Sequence, residues 1–337
     1  MALLDVQNLK TQFATDEGIV KAVDGVDFSV EPGEIVGVVG ESGSGKSVTL
    51  RSVIDLVDTP GEIVDGSVTF DGMDLLTLSE DELASIRGSR ISMVFQDPGD
   101  AFNPTQTVGR QLHDVLRTHR HGSVHPLTRL LGQDHDEAIR SEVIEALDRV
   151  GIPSPEVRYS DYPHEFSGGM LQRAMVAMSV LCEPELVLAD EPTTALDVTI
   201  ESQILSMFRK LVDELDLAVV WVTHDLSVVS ELCDRVVVMY GGKVMEVGPT
   251  EKVISGPSHP YTRGLLESVP RYDQPDEKLS AIEGTVPSPH NLPDGCRFAD
   301  RCPEVHARCH ERHPPMYTTD GKQAACYLVD ETGGNSA

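Results

Sequence analysis

The chain has 337 residues, of which 40% are hydrophobic, and a formal net charge of −28 at neutral pH. The length predicts two or three structural units, and no apolar stretch approaches the 18 residues that a membrane-spanning helix needs. The acidic balance argues against nucleic-acid binding, whose affinity depends on Lys and Arg neutralising phosphates. Two interpretations of the charge stay open, simple solubility or a fold adapted to molar salt. The first residues lack a secretion signal, so we expect a cytoplasmic chain.

The first third of the sequence alternates short strand-like runs with turns. Apolar alternation predicts strands at residues 3–9, 20–30 and 67–70, and a continuous apolar run predicts a buried strand at 35–39. Helical spacing follows at 48–56, and a further buried strand is expected at 91–95. This region therefore begins an α/β domain.

The middle of the chain, residues 105–182, has almost no strand signal and shows helical spacing at 108–116, 137–150 and 168–181. Strands are predicted again at 186–189, 218–222, 236–239 and 243–247, with a helix at 198–214. Strands that alternate with helices indicate a mostly parallel sheet. We therefore expect a domain over residues 1–256 with a helical insertion at about 97–182, followed by a proline-broken, loop-rich segment at 257–337 with little core of its own.

A glycine-rich loop follows the strand predicted at 35–39 and precedes a helix. It fits the pattern G-x-x-x-x-G-K-[ST], and its candidate ligands are Gly40, Ser42, Gly43, Gly45, Lys46 and Ser47. Backbone N–H groups at a helix N-terminus bind anions, a lysine reaches the outer phosphates, and a serine hydroxyl ligates Mg²⁺. The alternative is a glycine-rich turn with an exposed lysine, but the flanking strand and helix favour a nucleotide phosphate site.

Three further polar groups follow strands or begin helices. Ser167, Gly168 and Gly169 begin a predicted helix, and could bind a second phosphate or simply cap that helix. Asp190 and Glu191 end a buried strand, where a carboxylate supports Mg²⁺ and its neighbour can deprotonate a water. The alternative for this pair is a solvated helix cap. His224 ends another apolar strand and can donate to a phosphate oxygen.

Four of the six cysteines lie in the last 42 residues: Cys296, Cys302, Cys309 and Cys326. Four thiolates at this spacing suffice for an iron–sulfur cluster or for zinc, and free thiols are the third alternative. The absence of a C-x₂-C pair argues against a zinc finger, but three nearby histidines could also bind zinc, so a zinc site stays open. A disulfide is not expected in a reducing compartment.

Taken together, these motifs resemble the nucleotide-binding subunit of an ABC transporter. Gly40–Ser47 matches Walker A, Gln96 the Q-loop, residues 166–173 the signature, 186–191 Walker B, 195–197 the D-loop and His224 the switch histidine. The resemblance implies an ABC ATPase core, with a mostly parallel sheet, an antiparallel β subdomain and an inserted helical subdomain. It also implies roles for Phe13 in stacking on adenine, for Ser47 and Gln96 in holding Mg²⁺, and for Asp197 in the D-loop.

The resemblance further implies a head-to-tail dimer in which Ser167 and Gly169 act on the ATP of a second, paralogous ATPase subunit. Two transmembrane permeases would bind near Gln96, a solute-binding protein would deliver the solute, and the chain would lie at the cytoplasmic face of the membrane. Residues 258–266 and the four cysteines resemble importers of the oligopeptide, dipeptide and nickel branch, some of which hold a 4Fe–4S cluster. The alternatives are a soluble ABC ATPase acting on DNA or ribosomes, and a redox-sensing regulatory ATPase.

Overall fold

The computed structural model describes residues 2–120, 132–194, 196–268, 282–331 and 335–336. Its strands are β1 (Leu4–Thr15), β2 (Gly18–Val30), β3 (Ile35–Val39), β4 (Gly61–Phe70), β5 (Met73–Asp74), β6 (Ile91–Val94), β7 (Leu186–Asp190), β8 (Ala218–Thr223), β9 (Arg235–Tyr240), β10 (Lys243–Pro249), β11 (Tyr317–Thr319), β12 (Lys322–Ala324) and β13 (Asn335–Ser336). Its helices are α1 (Lys46–Val53), α2 (Glu80–Ile86), α3 (Pro98–Ala101), α4 (Val108–His119), α5 (Gly132–Arg149), α6 (Pro155–Arg158), α7 (Gly168–Val180), α8 (Val198–Leu215), α9 (Leu226–Leu232), α10 (Thr250–Ser255), α11 (Pro260–Glu267), α12 (Ala307–Glu311) and α13 (Tyr327–Glu331).

The predicted α/β class and the order of its main elements are confirmed. Every predicted strand and helix is present, although β1, β2 and β4 are longer than expected. These three strands form long antiparallel pairs. The residues at their added ends are mostly exposed or half-buried, apolar Ile19 and Val64 among them, so a regular alternation between buried and exposed positions marks only part of each strand. Among the described helices, none combines the length and apolar character needed to cross a bilayer.

The chain divides into two compact units, and the first comprises Met1–Thr77 and Val220–Ala337. It contains an antiparallel sheet in the order β2-β1-β4-β5, which is the predicted antiparallel subdomain. In its second sheet β12, β10, β9 and β3 lie side by side, with β3 and β9 parallel. All five residues of β3 are buried, as expected of a strand covered on both faces.

The second unit comprises Leu78–Val219. Its strands β6 and β7 pair in parallel, from Ile91 opposite Leu186 to Val94 opposite Ala189. The remainder is helical, with α4, α5 and α7 packed against one another. In the described part of residues 98–185 no strand occurs, which agrees with the helical insertion predicted from the sequence.

The C-terminal segment has more structure than the sequence indicated. Strand β12 pairs with β10 and extends the second sheet of the first unit. A small core of its own contains Tyr317, Ala324, Cys326, Tyr327 and Val329. The periodic signal was missed because the two strands have only three residues each.

A buried ion pair fixes this segment to β10. Lys322 Nζ lies 2.9 Å from Glu246 Oε1, and both side chains are almost fully buried. The Glu246 carboxylate also accepts the backbone N–H groups of Ser258 and His259, at 2.8 and 2.9 Å. A buried charge is tolerated only when it is paired and hydrogen-bonded, and here both conditions hold.

Candidate functional site

The glycine loop of the first unit joins β3 to α1 and has the geometry of a phosphate cradle. Lys46 is 5% exposed, and its Nζ donates to the carbonyl oxygens of Gly40 and Glu41, at 2.9 and 3.1 Å. Its ammonium is therefore folded back over the loop rather than extended into solvent. The alternative of a turn with an exposed lysine is inconsistent with this burial.

Gly45 shows why this loop needs glycine. Its φ of +98° is a conformation that L side chains rarely adopt, and a Cβ there would lie 2.2 Å from the carbonyl oxygen of Ala22. Gly45 is also the N-cap of α1, so the loop leads its backbone directly into the helix N-terminus. Ser42 and Gly43 are exposed beside it, which leaves the outer side of the cradle open.

In the second unit, Asp190 is the last residue of β7 and Glu191 follows it, and the two carboxylates have different surroundings. Asp190 is 3% exposed, so it is not the solvated helix cap that was the alternative. Glu191 has a φ of +44°, a strained conformation for a residue with a side chain. Its Oε2 accepts from Thr194 Oγ1 at 2.9 Å and from Gln96 Nε2 at 3.4 Å. The structure thus brings Gln96 and Glu191 together, and both hydrogen bonds are accepted by the same oxygen of the Glu191 carboxylate.

Ser167 stands at the N-terminus of α7. Its Oγ accepts the backbone N–H of Met170 at 3.3 Å, which is a helix N-cap. Ser167 and Gly168 are nonetheless exposed, and a Cβ on Gly168 would meet nothing within 4 Å. The helix cap therefore leaves the N-terminus of α7 open to solvent.

The remaining predicted residues lie as follows. His224 is exposed between β8 and α9, where Asp225 caps the helix through Ser227 N. Asp197 is the N-cap residue of α8, and Ala195 beside it lies outside the described residues. Phe13 is half-buried in β1, and its ring lies so close to Gly61 that a Cβ there would be 2.5 Å from Cε1.

Comparison with known families accounts for this set of motifs. A family model described as ABC transporter matches residues 23–194. The chain belongs to the ABC transporter family. A second model, described as the C-terminal region of oligopeptide/dipeptide transporters, matches residues 245–309.

Relatives of this ABC protein match over nearly its whole length. The oligopeptide transport ATP-binding protein AppD of Bacillus subtilis is 44% identical, covering 99% of both chains. The dipeptide transport ATP-binding protein DppD of Escherichia coli is 41% identical, again covering 99% of both. A solved dimeric ATP-binding cassette in a post-hydrolysis state with ADP and phosphate superposes with a TM-score of 0.63 at 28% identity, covering 73% of this chain and 98% of the cassette.

The four C-terminal cysteines of this ABC protein line one pocket, together with His259, His306 and Tyr327 among others. All are free thiols. Gly295 permits the approach of two of them, because a Cβ there would lie 2.3 Å from the carbonyl oxygen of Cys309, and the N–H of Cys296 donates to that oxygen at 2.7 Å. Four cysteines that span 30 positions of the sequence therefore surround one space.

Burial sets the chemistry of this pocket. Desolvation raises the pKa of Cys296 to about 11 and that of Cys326 to about 12, and the pKa of Cys302 is raised by the same cause. These three thiols stay protonated at neutral pH unless a bound cation stabilises the thiolates. Across the described residues, no three His, Cys, Asp or Glu side chains are arranged to hold a single metal ion.

Sequence reasoning missed two residues that contact the Walker A loop. Tyr261 accepts the backbone N–H of Glu41 at 2.9 Å, and Arg301 pairs with the Glu41 carboxylate at 2.9 Å. Both come from the C-terminal segment, more than 200 residues further along the chain. A contact of that sequence separation leaves no local pattern, so periodicity and motif spacing could not have found it.

Proposed function

We propose that this protein is the ATP-hydrolysing subunit of an ABC importer for peptides, bound to the cytoplasmic face of the membrane. The observation that supports this most strongly is the coexistence of a Walker A loop and an exposed signature helix N-terminus on one chain. Such a chain has both halves of the composite site of an ABC dimer. The relatives named for peptide transport match 99% of the chain, including the C-terminal segment.

The residues of each half would act as follows. Lys46 and the loop N–H groups would hold the phosphates. Ser47 and Gln96 would supply oxygen ligands for Mg²⁺, and Asp190 would support the metal. Mg²⁺, when bound, neutralises charge that develops on the phosphate oxygens. Glu191, fixed by Gln96 and Thr194, orients and deprotonates the attacking water.

The other proposed residues would contact other parts of the nucleotide or the second subunit. His224 is exposed at the junction between β8 and α9 and would donate to a γ-phosphate oxygen. Phe13 would stack on adenine, and Asp197 would lie in the D-loop between subunits. Ser167 and Gly169 would bind the ATP held by a partner subunit, because the N-terminus of α7 is open to solvent. We infer that the partner is a paralogous ATPase.

Two membrane permeases and a solute-binding protein complete the proposed importer. Purification of the tagged chain from gently solubilised membranes tests this arrangement. We expect two permeases and a second ATPase to co-purify; recovery with ribosomes or DNA instead would favour the soluble alternative. Uptake of a radiolabelled dipeptide, compared with uptake of nickel, separates the peptide importer from the nickel importer.

We further propose that the four-cysteine pocket holds a 4Fe–4S cluster. Each iron of such a cluster takes one thiolate, so the four sulfurs need not converge on one point, whereas zinc requires that they do. A shared pocket without a single-ion arrangement fits the first case better. The cluster would lock the thiolates in the charged form that burial otherwise disfavours. Iron and sulfide assays after anaerobic purification test this; colourless protein with stoichiometric zinc would contradict it.

Finally, we propose that the charge of −28 reflects adaptation to concentrated salt. Dense carboxylates repel one another, and salt shortens the range of that repulsion. The buried and half-buried ion pairs, such as Lys322 with Glu246, are screened much less and would persist under those conditions.

A further inference from the structure

The Walker A loop is attached to the C-terminal segment at its second residue, Glu41. The backbone N–H of Glu41 donates to Oη of Tyr261 at 2.9 Å, and its carboxylate accepts from Nη1 of Arg301 at 2.9 and 3.1 Å. Its carbonyl oxygen accepts from Nζ of Lys46 at 3.1 Å. Three groups of one loop residue are therefore held, two of them by residues that no Walker motif includes.

Arg301 is itself a fixed anchor. Its side chain is 7% exposed, whereas that of Glu41 is 26% exposed. The guanidinium also donates to Oη of Tyr240 at 3.1 Å and to the carbonyl oxygens of Ile282 and Glu283 at 3.1 and 2.9 Å. A planar guanidinium bonded on all three nitrogens has little freedom left, so it can set the position of the carboxylate it binds.

Tyr261 is anchored equally well. It is fully buried, with ring-centroid distances of 4.6 Å to Tyr240 and 5.3 Å to Phe298. Its backbone N–H donates to Nδ1 of His259 at 3.0 Å. Burial raises the pKa of the Tyr261 phenol far above its ordinary value, so the hydroxyl stays neutral and keeps its place as an acceptor.

Phe298 and Arg301 both lie in the short turn between Cys296 and Cys302. We propose that this turn, with Tyr261, positions the Walker A loop for nucleotide, and that Arg301 and Tyr261 are positioning residues for ATP binding. The inference rests on the proposed ATP site. Without Arg301, the Glu41 carboxylate would keep an unpaired negative charge on a loop that has to hold phosphates, and that charge would oppose their binding. Without either anchor, the loop would be more mobile in the free protein. Nucleotide binding would then have to order it, and the lost conformational entropy would weaken the affinity.

Titration of the full chain with Mg²⁺ and a non-hydrolysable ATP analogue tests the proposal. We expect Arg301→Gln to weaken binding about tenfold and Tyr261→Phe a few-fold, since each removes hydrogen bonds to Glu41. Arg301→Lys should recover part of the loss. Arg263→Gln is the matched control, because Arg263 lies in the same segment and pairs with Glu304 away from the loop.

The double variant Glu41→Gln/Arg301→Gln separates positioning from general destabilisation. We expect it to bind the analogue no more weakly than Arg301→Gln alone, because both changes break one interaction. Additive losses, or unchanged affinity in Tyr261→Phe, would overturn the proposal. Tyr261→Phe keeps the aromatic packing, so it decides the matter if Arg301→Gln does not fold. Lys46→Ala tests the ATP site itself and should bind the analogue more weakly than the wild type. If the wild type does not bind the analogue at all, the proposed function is wrong, and the positioning roles of Arg301 and Tyr261 are not what failed.

Discussion

Gln96 donates a hydrogen bond from Nε2 to Oε2 of Glu191 over 3.4 Å, although 95 residues separate them in the sequence. The same oxygen accepts from Thr194 at 2.9 Å. The carboxylate that follows β7 is thus directed by residues from two neighbouring loops. This arrangement suits a general base, which must lie within hydrogen-bond distance of the proton that it removes.

Glu191→Gln should abolish turnover while ATP binding persists. The amide has the same shape but cannot accept a proton, so we expect ATP hydrolysis to fall by at least about a hundredfold. Steady-state phosphate release and nucleotide titration measure the two effects separately. Glu214→Gln, an exposed position at the end of α8, is the control and should leave both unchanged. Undiminished hydrolysis in Glu191→Gln would refute the assignment of the base.

Two substitutions at Ser167 separate its helix cap from its proposed action on phosphate. Ser167→Ala should cost about 1 kcal/mol of stability, because the N–H of Met170 loses its acceptor. Ser167→Asp keeps a capping oxygen and should retain stability, yet its charge should repel a partner's nucleotide and suppress hydrolysis. Thermal unfolding and phosphate release are measured in parallel. If Ser167→Asp hydrolyses ATP like the wild type, Ser167 is a cap alone.

Stability in acid should depend on His259. Burial lowers the pKa of this histidine to about 3, from 6.5, and its Nδ1 accepts the N–H of Tyr261. The unfolded chain therefore binds a proton between these two pH values that the folded chain does not. The contribution of His259 to the free energy of unfolding is therefore fully present above pH 6.5. It is lost as the pH falls towards 3, by up to about 1.4 kcal/mol per pH unit.

His259→Asn should flatten that acid limb, because Asn offers an oxygen acceptor to the N–H of Tyr261 but does not titrate. Urea unfolding at several pH values between 3 and 7 gives the slopes. His313, whose pKa burial lowers to about 4, acts in the same direction and remains in both proteins. Identical slopes for the wild type and the variant would contradict the burial argument.

Removal of salt should destabilise the fold. The net charge of −28 makes repulsion between carboxylates large at low ionic strength, and about 1 M salt shortens the Debye length to about 3 Å. We expect the midpoint of thermal unfolding to rise with KCl concentration and then level off. A midpoint that does not change with KCl would show that the acidic surface serves solubility alone.

The sequence predicted those parts of the molecule that depend on local pattern. The buried run Ile35–Val39, the Gly45 turn and the N-terminus of α7 follow from hydrophobicity, backbone freedom and capping, all of which act over a few residues. The alternation of predicted strands and helices along the chain likewise predicted the α/β class.

The remainder depends on contacts between distant residues. Neither the pairing of Arg301 with Glu41 nor that of Lys322 with Glu246 could be predicted, because each joins an ordinary charged residue to another at no fixed spacing. The orientation of Glu191 by Gln96 belongs to the same class. The three-residue strands of the C-terminal segment are too short to show a period.

The most direct measurement is peptide uptake by cells that lack this chain and are complemented with either the wild type or Glu191→Gln. A radiolabelled dipeptide and a radiolabelled oligopeptide are the probes, and immunoblots confirm equal amounts of the two proteins. We predict that the wild type restores uptake and that Glu191→Gln does not. Equal uptake with both proteins, or uptake that never depended on the chain, would contradict the account.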